Sequence, residues 1–200
     1  MKKFFIAFLI TASVFIFLLK SDKQISSIVS PSSEETPVSD EITLISTGDI
    51  GLVRDINYKI ILEKNPNFPF LKIAEYLKDS DLTITNLEGP LINNCPVIRE
   101  GFTFCGEDIN VSGLVYSGID AASLANNHTT NFGASGLEET EKILRSNGIS
   151  PFGLDGTIEY IQVKDKKIAL IGFVELGNNW GGLNNATAEN VSSLVSQADL

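Results

Sequence analysis

The 200-residue chain carries 25 acidic against 15 basic side chains, a net charge of −10, and 43% of its residues are apolar. That apolar share can fill a sizeable core, which excludes a wholly disordered chain. The acidic balance, with no basic stripe to offset it, excludes a general nucleic-acid binder.

In chain order, Lys2 and Lys3 precede FFIAFLITASVFIFLL, sixteen uncharged residues closed by Lys20. As a helix this run spans about 24 Å at about 1.5 Å per residue, slightly short of a bilayer core of about 30 Å. Its length suits a secretory signal or a short signal-anchor. No small-x-small cleavage pattern follows Leu19 and there is no lipobox cysteine, so a retained anchor over residues 1–20 is favoured over cleavage. Either way the lysines stay in the cytoplasm and the body is exported, as an extracytoplasmic domain at the cell membrane or, if cleaved, a secreted one. Residues 21–41, rich in Ser, Pro and acid, read as a flexible linker. From Ser21 onward there are 12 basic against 25 acidic residues, a net of −13.

The folded domain is expected over residues 42–200. EITLISTGD is a short apolar run closing on Gly48 and Asp49. PFLKIAEYLKDSD puts Leu71, Ile73, Ala74 and Leu77 on one helical face. LTITNLEGP is a second β-rich run, closing on Asn86, Glu88 and Pro90. Cys95 and Cys105, the only cysteines, flank PVIREGFTF. In an oxidising compartment the simplest reading is a disulfide closing a hairpin-like loop; a metal pair is the weaker reading, because two more ligands would be needed. DINVSGLVYSG reads as a short helix ended by Gly118, and IDAASLANNH is a third apolar run with a polar end. GASGLEETEKILRSNG gives a helix with Leu137, Thr140, Ile143 and Leu144 inward, stopped by Asn147 and Gly148. TIEYIQVKDKKIALIGFVE reads as two strands around a tight KDKK turn. NATAENVSSLVSQA reads as a last helix, with Asp199-Leu200 opening another strand. Strands alternating with helices argue for an α/β domain, and the hairpin after residue 157 predicts a mixed rather than purely parallel sheet.

Three of these runs end in groups that can hold a cation: Asp49; then Asn86 and Glu88; then Asn126, Asn127 and His128, the one histidine of the chain. Parallel strands deliver their carboxyl ends to one edge of an α/β sheet, where ligands bind. Oxygen donors with one imidazole suit magnesium, manganese, zinc or iron, and a pair of such cations can clamp a phosphoryl group and activate water. Arg54, five residues beyond Asp49, suits an anionic substrate. Read alone, each cluster is more at home in a turn, and Arg54 is equally at home on the surface.

STGDIGLVRDIN, ITNLEGPL and GIDAASLANNHTTNFGASGLEETEKILRSNGI resemble successive motifs of the CapA family of capsule and poly-γ-glutamate synthesis proteins, with the ANNH block the most telling. KKIALIGFVE also fits a strand of that family. The resemblance runs from about Ile42 to Leu200. It implies a layered α/β sandwich like that of the calcineurin-like metallophosphatases, with one or two divalent metals (Mn, Mg, Zn or Fe). It also implies metal ligation by Asp49 and Asn127, and contact of His128 with a phosphate, as proton donor or transition-state stabiliser. Glu88 stands where those enzymes put a bridging aspartate. Asn131 departs from the family, which usually has Asp there, and the family's later HWG and HPH motifs would follow Leu200. The chain is therefore expected to be the N-terminal part of a longer protein, or a truncated product.

The leading functional expectation is a membrane-anchored, outward-facing CapA-like protein of capsule or poly-γ-glutamate synthesis and export. Any chemistry would be metal-dependent hydrolysis or transfer at a phosphate or γ-glutamyl substrate. The alternative is a non-catalytic binding or assembly component working with capsule or polyglutamate synthase subunits. A third reading is a structural α/β domain with decayed motifs.

Overall fold

The computed structural model describes residues 41–175 and 181–198. The expected anchor over 1–20, nearly all of the expected linker over 21–41, and the strand expected at Asp199-Leu200 lie outside the described residues. Among the described residues, no helix is long and apolar enough to cross a membrane.

Four strands make the central sheet: β1 (Leu44–Ile50), β2 (Leu82–Leu87), β5 (Ala121–Ser123) and β6 (Ser150–Phe152), side by side in that order. All three pairings are parallel. Each crossover carries helix: α1 (Arg54–Glu63) and α2 (Ala74–Lys78) between β1 and β2, α3 (Val111–Ser117) before β5, and α4 (Gly133–Ser146) before β6. β2 has sheet neighbours on both sides and is almost continuously buried, as a parallel strand covered on both faces should be. Leu52, Ile60, Leu87, Leu114, Leu124 and Leu144 fill the core, each at most 1% exposed. Two residues each form β3 (Leu91–Ile92) and β4 (Gly106–Glu107), a small parallel pair beside the main sheet. A last helix, α5, covers Ala188–Gln197 and is capped by the Thr187 side chain, which accepts from the Asn190 N–H.

The α/β class is the one expected. The central sheet is parallel throughout, and the hairpin expected to mix it, β7 (Glu159–Val163) with β8 (Lys166–Leu170), pairs antiparallel as a sheet of its own. Lys164 and Asp165 make its two-residue turn, Lys164 taking the left-handed conformation that such tight turns use.

Two helices differ from the sequence reading. The helix expected through Leu71 and Ile73 starts only at Ala74; those two side chains are 56% and 45% exposed, and Phe70 takes the inward place instead. Pro69 is the reason: it lacks an N–H and sits inside a short 3-10 turn, Phe68–Phe70, so the turn and the helix do not share one face. Helix α1 has no signal that the sequence reading could use. Its start has no side-chain cap, and of its ten residues only Asn57 and Ile60 are buried, leaving Ile56, Tyr58, Ile61 and Leu62 exposed.

Candidate functional site

The carboxyl ends of β1, β2 and β5 lie side by side, and a bulge in β1 decides what stands there. Ser46 pairs with Ile84 and Asp49 with Asn86, so β1 spends one residue more than β2 over this stretch. Gly48 permits it with φ +77, a left-handed conformation that side chains resist. The Thr85 hydroxyl fixes the bulge by donating to the Gly48 carbonyl at 3.0 Å. Without the extra residue, Asn86 would face Gly48 rather than Asp49.

A line of side-chain amides then joins the three strand ends. Asn86 Nδ2 donates to Asp49 Oδ1 at 2.8 Å, and Asn126 Nδ2 donates to Asn86 Oδ1 at 3.0 Å and to the Leu87 carbonyl at 2.9 Å. Asn126 Oδ1 accepts the backbone N–H groups of His128 and Thr129, both at 3.0 Å, in an Asx-type turn. Asn126 is thus a buried structural hub, with its polar groups satisfied. Asn127 is half-buried, and its side chain has no hydrogen bond to another described residue.

Glu88 leaves β2 with its N–H bonded to the Ile50 carbonyl at 3.0 Å. Its Oε1 lies 3.9 Å from His128 Nε2, with the two side chains 35% and 13% exposed. That distance is beyond a hydrogen bond, and the contact becomes an ion pair only when the imidazole is protonated. His128 stacks on buried Phe104, centroids 4.2 Å apart and planes 28° apart. Phe104 in turn lies against Gly89, where φ is +100 and a Cβ would press on the ring and on Val53. Arg54, at the start of α1, has its guanidinium carbon 5.9 Å from the Phe104 centroid, within cation–π range.

Phe104 is held from both sides. Its N–H donates to Asn131 Oδ1 at 3.0 Å. Next to it, Cys105 is bonded to Cys95, Cα atoms 5.9 Å apart, and the pair packs with Ile92, Ile98 and Phe132. Asn57 of α1 reaches the same loop: its Oδ1 accepts from the Glu107 N–H at 3.0 Å and from Asn110 Nδ2 at 2.8 Å. Neither Phe104 nor the hub role of Asn126 is visible in the sequence. Phe104 lies outside any periodic run, and Asn126 is indistinguishable from Asn127 until the turn is seen.

The donor chemistry at this edge fits a hard divalent cation in kind. Asp49 keeps one carboxylate oxygen outside the Asn86 bond, Glu88 is partly open, and Asn127 offers an amide oxygen. These donors do not complete a two-metal centre. Among the described residues, no three His, Cys, Asp or Glu side chains gather closely enough to hold a metal ion.

The sequence is similar to known proteins over the same region. It is 25% identical over 146 residues to capsule biosynthesis protein CapA of Bacillus anthracis, covering 68% of this chain and 35% of that protein. It is 28% identical over 134 residues to the uncharacterized protein y4sH of Sinorhizobium fredii (strain NBRC 101917 / NGR234), covering 61% of this chain and 26% of that one. The uncharacterized protein y4uA of the same strain matches to the same extent. The match therefore spans about a third or less of the length of these relatives. The family model described as bacterial capsule synthesis protein PGA_cap matches residues 43–199, and the chain belongs to that family.

Proposed function

We propose that this chain works outside the cytoplasm, anchored to the cell membrane by residues 1–20, in capsule or poly-γ-glutamate biosynthesis and export. In this reading Asp49, Glu88 and Asn127 hold a divalent cation (Mn, Mg, Zn or Fe), and the site acts on a phosphate or γ-glutamyl substrate. The carrying observation is the line of amides from Asp49 through Asn86 and Asn126 to the His128 backbone, which ties three strand ends into one edge. When bound, the cation would supply Lewis-acid polarisation of a phosphoryl or carbonyl oxygen. The protein's own part is orientation: Asn86 holds Asp49, Phe104 holds the His128 ring against the site, and Arg54 offers a charge-assisted contact to an anionic substrate. His128 then meets the reacting group as proton donor or stabiliser of developing charge.

A second reading, a non-catalytic component that binds the polymer or capsule synthase subunits, is favoured by the lack of a third acidic or imidazole ligand among the described residues. A deletion strain complemented with wild type, Asp49→Asn or His128→Ala, and assayed for surface polymer, separates the two. Loss of polymer in both variants supports the metal-dependent reading; full polymer in both supports the assembly reading. Unchanged polymer in the deletion strain itself would overturn both.

A further inference from the structure

We propose that Asn131 is a positioning residue that fixes the tautomer of His128, so that the neutral imidazole carries its proton on Nδ1 and presents a bare lone pair on Nε2 toward Glu88. The inference rests on His128 belonging to the strand-end site, and concerns how that residue is presented.

Phe104 sets the orientation of the Asn131 amide. Its backbone N–H can only donate, and it meets Asn131 Oδ1 at 3.0 Å. That contact orients the Asn131 amide, because the NH₂ end could not accept it. The same oxygen lies 3.2 Å from His128 Nδ1. An amide oxygen is an acceptor only, so the contact is a hydrogen bond only if Nδ1 carries the proton. In the neutral ring Nε2 is then unprotonated. Nε2 is the nitrogen 3.9 Å from Glu88 Oε1.

The surroundings hold the ring in this pose. Phe104 stacks on one face, and the His128 N–H is anchored on Asn126. A ring with 13% of its side chain exposed has little room to exchange Asn131 for water. Neutral His128 is therefore an acceptor at Nε2.

The chain has a single histidine, so its ring signals need no assignment. The test is a two-dimensional ¹H–¹⁵N multiple-bond spectrum of the full chain, metal-free in detergent, recorded at rising pH until the ring nitrogen shifts no longer change. The expected spectrum has Nδ1 at a pyrrole-type shift and Nε2 at a pyridine-type shift. Asn131→Asp, which keeps an acceptor oxygen, should retain that pattern. Asn131→Ala should move both nitrogens toward each other as the Nε2–H form becomes populated. A wild-type spectrum with Nε2 pyrrole-type would overturn the proposal, as would an unchanged pattern in folded Asn131→Ala. None of these readouts involves metal or turnover, so failure of the proposed function would leave the tautomer result standing, and the reverse also holds.

Discussion

The side chains of Asn86 and Asn126 meet amide to amide at 3.0 Å, and through this bond the end of β5 is tied to the end of β2, and by way of Asn86 to Asp49 on β1. Two residues that present no charge thus set the spacing of those that do. Their bonds leave one oxygen of Asp49, and the side chains of Glu88 and Asn127, open to other partners.

Removing the hub should loosen the site and cost stability together. Asn126→Ala strands the Leu87 carbonyl, the Asn86 amide oxygen and the N–H groups of His128 and Thr129. Buried groups left without partners cost about 1–3 kcal/mol each where water cannot reach them. Urea denaturation should show a loss of at least about 1 kcal/mol, whereas Asn127→Ala should be close to neutral. Equal stability of the two variants would contradict the division of roles.

Reducing the Cys95–Cys105 bond should affect both the fold and the imidazole. Loss of a cross-link typically costs about 2–4 kcal/mol through the freed unfolded chain. Phe104 is the neighbour of Cys105 and stacks on His128, so the ring-current shift of the His128 ring protons should shrink on reduction. The proton spectrum before and after reductant reads it; unchanged His128 shifts with fully reduced thiols would show that the loop holds Phe104 without the bond.

Asp81 provides a pH-dependent tie. The Thr43 N–H, and then Lys164 at 2.9 Å, hold its carboxyl below the ordinary carboxylate value. A group with a depressed folded pKa contributes stability that is present above its unfolded value of about 3.9 and lost as pH falls through the folded value. Lys164→Met should raise the Asp81 pKa part of the way back, since the Thr43 bond remains, and should move the acid limb of the stability profile upward in pH. Carbon NMR titration of the Asp81 carboxyl measures the shift, and an unchanged value would show that Lys164 contributes nothing.

Much of this fold is legible in the sequence because burial leaves a period behind. Leu137, Thr140 and Leu144 are buried on α4 as their spacing predicts, and Gly118 ends α3 in a left-handed conformation. Helix α1 leaves no such trace, since only two of its ten residues are buried and no cap announces it. Pro69 hides the break that turns Leu71 and Ile73 outward. At the site, the charged and imidazole groups stand out by type, while their supports do not. The Gly48 bulge, the Asn126 turn and the approach of Phe104 from a loop well before His128 are long-range consequences of packing that no local pattern encodes.

Melting of the full chain in detergent with and without Mn²⁺ tests most directly whether Asp49 and Glu88 share a divalent cation at the strand ends. Binding to the folded state alone stabilises by about 2.7 kcal/mol at a hundredfold excess over Kd. Tm should rise clearly for wild type and not at all for Asp49→Asn or Glu88→Gln. Both variants should be as stable as wild type or slightly more so without metal. Each removes a carboxylate charge, and the amide oxygen introduced by Asp49→Asn still accepts from Asn86. A rise of equal size in wild type and both variants, or no rise in wild type, would contradict a shared cation.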